Sequence, residues 1–390
     1  MSDLLANLRN EARLAPESGI VEVINAGREH KDLIPLWAGE GDLPTPGFIC
    51  DAAKASLDAG ETFYTYQRGI PDLRKALADY HARTYGRTFS PERFFVTGSG
   101  MQAIQIAVQC VAGKGDEVVY PSPAWPNLAA AVEIMGAQAV PVAMTQTAAG
   151  WTLDLDRIFS AITPRTKALF LNSPCNPTGW VASAHELQEI LEECRKRGIW
   201  IIADEVYGRF HFGEGSKAPS FYDLADEDDK ILFVNTFSKN WAMTGWRIGW
   251  LSAPPSMGQV IENLIQYSTS GVPVFSQRGA LAALEQGDAF LDAQIARAKD
   301  GRRIVMEGLA QAPLIKMSVP DGAFYLFFSV DGISDARNLA LDLVRETGVG
   351  LAPGSAFGQA GNGFLRLCFA RDTAHLEAAV ARIVKWVAPC

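Results

Sequence analysis

From residue 94 to residue 251 the chain alternates short apolar, β-branched runs with amphipathic stretches, and this alternation restricts the fold more than any other feature. The runs are 94–97, 117–120, 137–142, 168–171, 200–203, 231–235 and 248–251; helical patterns follow Gly98 and Trp125 and span 185–197. Runs apolar on both faces need cover on both faces. The pattern predicts an α/β fold whose large domain has three layers, with a mostly parallel central sheet between helices. Ligands of such sheets bind beyond the carboxyl ends of the strands. Ser99, Trp125, Asn176, Asp204, Tyr207, Ser238 and Lys239 all fall at those ends.

A chain of 390 residues has room for a second unit. Past a charged helical stretch at 289–309, apolar runs at 322–328 and 363–369 and helical patterns at 336–347 and 374–387 predict a smaller α+β domain over 289–390. Residues 46–288 then form the large domain. Residues 1–45, with a break at Pro16 and a helical pattern over 20–30, form a leading segment that contributes to the small domain.

Charge and cysteine usage exclude several roles. The net charge of −9, without a basic stripe, argues against nucleic acid and membrane surfaces as partners. No apolar run is long enough to span a bilayer, and charged residues interrupt the leucines of residues 1–13, as a signal peptide does not allow. Cys50, Cys110, Cys175, Cys194, Cys368 and Cys390 show neither metal-ligand nor disulfide-framework spacing. No metal site is expected, and reduced thiols suit a cytoplasmic location.

Lys239 follows the apolar run 231–235 and the small hydroxyl residues Thr236 and Ser238, so it reads as an amine on the lip of a buried strand. Such an amine is either a loop-capping surface lysine or a desolvated nucleophile of lowered pKa. Gly98-Ser99-Gly100-Met101-Gln102-Ala103, between a strand and a helix, offers backbone N–H groups to a phosphate. It also fits G-x-G-x-x-A, but a dinucleotide fold wants that motif in its opening unit, not this far into the chain. Asp204 directly follows an apolar run, where an acid is a cap or needs a partner. Asn176 is a ligand or a turn residue of Asn-Pro-Thr-Gly. An amine, a phosphate cradle, a strand-end carboxylate and the aromatic plate of Trp125 form the set a phosphorylated aromatic aldehyde needs. Pyridoxal 5′-phosphate supplies that chemistry.

Ordered along the chain, Gly39, Tyr64 ahead of Gly69-Ile70-Pro71-Asp72-Leu73-Arg74, Gly98-Ser99-Gly100, Trp125, Asn176-Pro177-Thr178-Gly179, Asp204-Glu205-Val206-Tyr207, Ser238-Lys239, Arg247 and Arg366 give the sequence its resemblance to a known family. It resembles the class I and II aminotransferases of fold type I, the aspartate aminotransferase superfamily, over nearly its whole length. The resemblance implies a fold type I pyridoxal-phosphate transferase. In it, Lys239 carries the cofactor and then moves a proton between the substrate Cα and the cofactor. Asp204 pairs with the ring nitrogen, Asn176 and Tyr207 bind the ring hydroxyl oxygen, and Trp125 stacks on the ring. Ser99, the backbone of Gly100 and Met101, Thr236, Ser238 and Arg247 hold the phosphate, and Arg366 with Asn176 and Gly39 takes the substrate carboxylate. The family also implies a homodimer with shared sites, in which Tyr64 reaches the phosphate of the other subunit.

Members specific for acidic amino acids carry a second cation, in one bacterial branch a lysine at the position of Met101. Arg278 reads as part of a solvated helix face, and Ile20, Trp37 and Tyr66 suggest an apolar or aromatic lining. The expectation is an aminotransferase for neutral or aromatic amino acids, with a 2-oxo acid such as 2-oxoglutarate as acceptor. β-Eliminating C–S lyases share the same motifs. A ligand-sensing regulator is a third reading, but it needs a DNA-binding module ahead of Ile20, where the sequence has no room for one.

Overall fold

The structure, a computed structural model, describes residues 3–147 and 149–388; Cys390 lies outside the described residues. The central sheet has seven strands: β1 (Phe94–Thr97), β2 (Glu117–Ser122), β3 (Gln138–Ala143), β4 (Thr166–Asn172), β5 (Trp200–Asp204), β6 (Ile231–Thr236) and β7 (Gly249–Ser252). Their order across the sheet is β1-β7-β6-β5-β4-β2-β3, and β7 alone runs against the rest. All seven apolar runs of the sequence are therefore strands of one sheet.

Alternate residues of each strand feed different cores, which is why the runs are apolar throughout. On β5 and β6, Ile201, Ala203, Ile231 and Phe233 face the core that holds Leu187, Ile190 and Leu191 of the helix Ala184–Arg197. Ile202, Leu232 and Val234 face the opposite core, with the helices Gly100–Val111 and Pro126–Ile134. Burying each such side chain stabilises the fold by about 1.5–3 kcal/mol before entropy is counted. The helix Ala184–Arg197 is delimited locally by a Ser183–Glu186 capping box and by Gly198 at a φ of 68°.

A second, antiparallel sheet is formed by β8 (Ile315–Met317), β9 (Tyr325–Val330), β10 (Ala352–Pro353) and β11 (Phe364–Cys368), in the order β8-β9-β11-β10. It packs with the helices Ala336–Thr347 and Thr373–Val387. Ile34–Pro35 pairs in parallel with Val349–Gly350, which fastens the leading segment to this unit. One core runs from the small sheet to the facing side of the large one.

Two local expectations are corrected. The helical pattern of 20–30 forms a helix only over Val21–Gly27. The run 322–328 becomes strand only at Tyr325, because Ala323, at a φ of 58°, takes the left-handed conformation that breaks extended pairing. Among the described residues no helix is long and apolar enough to cross a membrane, no group of side chains could hold a metal ion, and the five described cysteines are free.

Strand register sets up the site. Asn172 stands opposite Asp204, Asp204 opposite Val234, Thr236 opposite Gly249, and Gly249 opposite Thr97. The carboxyl ends of β1, β4, β5 and β6 are thus level, and the polar residues following them share one edge.

Candidate active site

A cavity of about 700 Å³ lies at that edge, closed from the other side by the leading segment and by β9 and β11. Gly100, Met101, Trp125, Thr236, Ser238 and Arg247 line it, as do Asn176, Asp204, Tyr207 and Lys239. Gly39, Ile20, Trp37 and Arg366 complete the wall from the small-domain side. Of the expected site residues, Ser99 and Tyr64 are not brought to it. Tyr64 is 92% exposed in the single chain. Ser99 Oγ accepts the Gln102 N–H at 3.0 Å and so caps the helix, a bond that uses an oxygen lone pair and leaves the hydroxyl proton free to donate. Tyr66, expected in the lining, is exposed on the surface.

The anion end is built from a helix start and a strand crossing. The helix Gly100–Val111 points its free N–H groups and positive end toward the cavity. Gln102 fastens the preceding loop: its Oε1 accepts from Gly98 N–H, and its Nε2 donates to Ser268 Oγ and Thr269 Oγ1 at 2.9 and 3.1 Å. β7 passes so close beneath that a Cβ on Gly249 would lie 2.7 Å from Gly100 N and from Asn235 O, so only glycine fits. Thr236 Oγ1 accepts from Ser238 N–H at 3.2 Å. Arg247 holds a left-handed φ of 52°, a conformation that costs a non-glycine residue about 1–3 kcal/mol, and its side chain lines the cavity.

Lys239 sits on a helical turn, Phe237–Asn240, rather than on the strand lip itself; Thr236 caps that turn. Its Nζ donates to Gly39 O at 2.6 Å and lies 5.7 Å from the Tyr207 ring centre. Burial pulls the ammonium down to about 8, and the like charge of Arg366 acts in the same direction. Asp204 is buried, and its Oδ1 accepts only the Val206 N–H, at 3.3 Å. Burial pushes its carboxyl up to about 7. A buried acid so poorly paired suits a cationic partner inside the cavity.

Arg366 is 2% exposed. Its Nη1 donates to Asn176 Oδ1 at 2.9 Å, its Nη2 donates to Trp37 O, and its Nε is buried without a partner. Its guanidinium lies between the rings of Tyr325 and Phe357, 4.5 and 4.8 Å from their centres. Trp37 packs its indole against Gly27 and Gly350, so it offers Arg366 a carbonyl while its ring closes the wall. Arg278 lies on a partly exposed helix face outside the cavity, as expected, and pairs there with Glu61 and Asp72 at 2.8 and 2.9 Å.

Among the cavity-lining residues not singled out in the sequence, Asn172 and Tyr325 make polar contacts with site residues. Asn172 Oδ1 accepts from Asn176 N–H at 2.8 Å, and its Nδ2 donates to Asp204 O at 3.1 Å. It ends an apolar run just as Asp204 does, so the signal was present. Tyr325 Oη lies 2.7 Å from Tyr207 Oη, and nothing in its own run distinguishes it from the neighbouring core aromatics.

These residues fit pyridoxal phosphate. A helix start and Arg247 suit its phosphate, the poorly paired Asp204 carboxyl suits a protonated ring nitrogen, and a half-buried amine of lowered pKa suits its aldehyde. Fold and site together define a pyridoxal-phosphate enzyme of fold type I.

Comparison with known proteins is consistent with this. The family model for aminotransferase class I and II matches residues 31–383. The chain is 36% identical to the probable aspartate/prephenate aminotransferase of Aquifex aeolicus, covering 91% of each protein. Its structure resembles that of the aspartate aminotransferase of Thermus thermophilus with maleate, with a TM-score of 0.90 at 32% identity, covering 97% of this chain and 99% of that one. It resembles the alanine aminotransferase of Pyrococcus furiosus equally well, with a TM-score of 0.90 at 27% identity, covering 98% and 99%. The chain belongs to the class I and II aminotransferases and is a pyridoxal-phosphate-dependent transaminase.

Proposed function

We propose that this aminotransferase takes the amino group of a neutral or aromatic α-amino acid and delivers it to a 2-oxo acid such as 2-oxoglutarate. One observation carries the choice of donor. The cations lining the cavity are Lys239, Arg247 and Arg366, and the cofactor and the α-carboxylate use all three. Ile20, Ile24, Trp37, Met101 and Ile104 give the lining an apolar share, and its uncommitted polar residues, among them Ser18, Asn127 and Glu40, carry no positive charge. A distal carboxylate there would be desolvated without a charged partner. A second reading, an acidic donor, rests on the aspartate named for several relatives. Comparing kcat/KM for phenylalanine, leucine, alanine and aspartate separates the two; a preference for aspartate overturns the first.

When bound, pyridoxal phosphate supplies the aldehyde that captures the amino group and the ring that takes up electrons. Lys239 would serve as the base that takes the proton from the substrate Cα, a task for which burial, by lowering its pKa to about 8, suits the amine. Asp204 holds a proton on the ring nitrogen by its charge. Asn176 and Tyr207 bind the ring hydroxyl oxygen, and Trp125 covers the ring face. Gly100, Met101, Thr236, Ser238 and Arg247 hold the phosphate, with Ser99 contributing through the loop it caps. Arg366 grips the α-carboxylate in a two-pronged contact that orients the Cα–H bond, and Gly39 O releases Lys239 Nζ when the amine is engaged.

The same reading divides the chain into residues 1–45 and 289–390 for the small domain and 46–288 for the large one. It makes the enzyme a homodimer, supported by the 84%, 92% and 89% exposure of Phe63, Tyr64 and Tyr267, aromatic surface that a second copy would cover. Tyr64 then reaches the phosphate of the partner's site. Free thiols support a cytoplasmic location.

A further inference from the structure

We infer that Tyr325 is a positioning residue: its hydroxyl donates to Tyr207 Oη, which leaves the Tyr207 proton for the ring oxygen of the cofactor, while its ring supports the guanidinium of Arg366. The inference rests on the proposed role of Tyr207.

Tyr325 belongs to β9 of the small sheet and Tyr207 to the loop after β5 of the large one, so their contact spans the two sheets. The two oxygens are 2.7 Å apart and the rings meet edge to face, with centres 5.6 Å apart at 85°. Each hydroxyl has one proton. A Tyr207 that donates to Tyr325 has none left for a ligand, so a ring oxygen accepting from Tyr207 makes Tyr325 the donor of the pair. In such a chain each bond polarises the next, and Tyr207 becomes the stronger donor.

The surroundings hold Tyr325 in place. Its side chain is fully buried. A Cβ on Gly39 would lie 2.6 Å from its Oη, so glycine at that position makes room for the hydroxyl. Gly39 O is also the acceptor for Lys239 Nζ, and the Tyr325 ring is one of the two between which Arg366 lies. One phenol therefore touches the groups that serve the amine, the ring oxygen and the carboxylate. The charged or titratable groups facing the pair are Lys239, Asp204, Glu40, Arg366 and Cys368. None of them forms a hydrogen bond to either phenol.

A donor that strengthens Tyr207 favours the ionised ring oxygen, so it lowers the pH at which the visible band of the holoenzyme titrates. The test is that spectroscopic titration in Tyr325→Phe, Tyr207→Phe and the double variant; Phe fills the Tyr ring volume and preserves the packing. Tyr207→Phe raises the midpoint. Tyr325→Phe raises it by about half a unit to one unit, the shift expected from one neutral hydrogen bond. In the Tyr207→Phe background the Tyr325 change adds nothing, because its path is gone. Tyr325→Leu, which removes the ring as well, raises KM for the amino donor several-fold beyond Tyr325→Phe. An unmoved midpoint in Tyr325→Phe, or an equal shift with and without Tyr207, overturns the inference while leaving the role of Tyr207 intact. An unmoved midpoint in Tyr207→Phe overturns that role and this inference with it.

Discussion

Arg366 Nη1 donates to Asn176 Oδ1 across 2.9 Å, so a side-chain bond joins the small sheet to the loop that follows β4. The guanidinium is fixed on its faces by two rings and on one edge by Trp37 O, and it keeps a buried Nε without a partner. In the proposed role, a substrate carboxylate would gain charged hydrogen bonds there, each contributing about 1.5–3 kcal/mol. Arg366→Ala therefore lowers kcat/KM by on the order of 100-fold for every donor, mostly through KM. Steady-state kinetics with unchanged constants would remove Arg366 from the site.

Met101 lines the cavity beside the apolar residues proposed to receive the substrate side chain. Met101→Lys adds a cation there, and the ratio of kcat/KM for aspartate to that for phenylalanine rises by roughly 10- to 100-fold, the range of one charge-assisted bond. A ratio that stays put would mean that the side-chain subsite lies elsewhere.

Glu205 faces away from the cavity, where its Oε2 accepts from Ser220 Oγ at 2.6 Å. Burial pushes its carboxyl up to about 7. With the folded value above the unfolded one, the native state holds the proton more tightly between about pH 4.5 and 7, and the enzyme loses stability as pH rises through that window. Glu205→Gln does not titrate. Whatever its offset at pH 4.5, the unfolding free energy of the variant gains on wild type by on the order of 3 kcal/mol by pH 7.5. Urea unfolding of both holoenzymes at a series of pH values measures this; parallel curves would show that Glu205 is ionised throughout.

Tyr64 is exposed in one chain and assigned to the partner's phosphate. Tyr64→Ala should weaken cofactor retention by roughly tenfold, about the worth of one hydrogen bond to a charged group. On the proposed shared-site dimer, mixing it with inactive Lys239→Ala chains forms hybrids with one site that has both Tyr64 and Lys239, and these regain wild-type cofactor affinity in that site. Sedimentation showing a monomer, or no recovery on mixing, would defeat the shared-site reading.

The central sheet was legible in the sequence because strands covered on both faces are apolar at every position, a pattern no surface element imitates. Lys239 and Asp204 drew attention for a related reason, as polar residues close behind an apolar run, and Asn176 did so through its Asn-Pro-Thr-Gly turn. What local pattern does not carry is the partner across space. The Tyr325 hydroxyl meets Tyr207 only once the two sheets pack together. Ser99 stands three residues before Gln102, and the capping bond between them appears only once the helix has formed. Tyr66 and Arg278 lie in stretches whose side-chain direction is set by contacts far along the chain, among them the pairing of Arg278 with Glu61.

The most direct test is an absorption spectrum of the purified holoenzyme, recorded as single amino acids are added, with Lys239→Ala as the reference. The account predicts a visible band that is absent from, or altered in, the variant. Phenylalanine and neutral amino acids replace that band with the near-ultraviolet band of the aminated cofactor, and aspartate does so only at far higher concentration. A band that aspartate discharges first, or a wild-type spectrum that the variant reproduces, would contradict it.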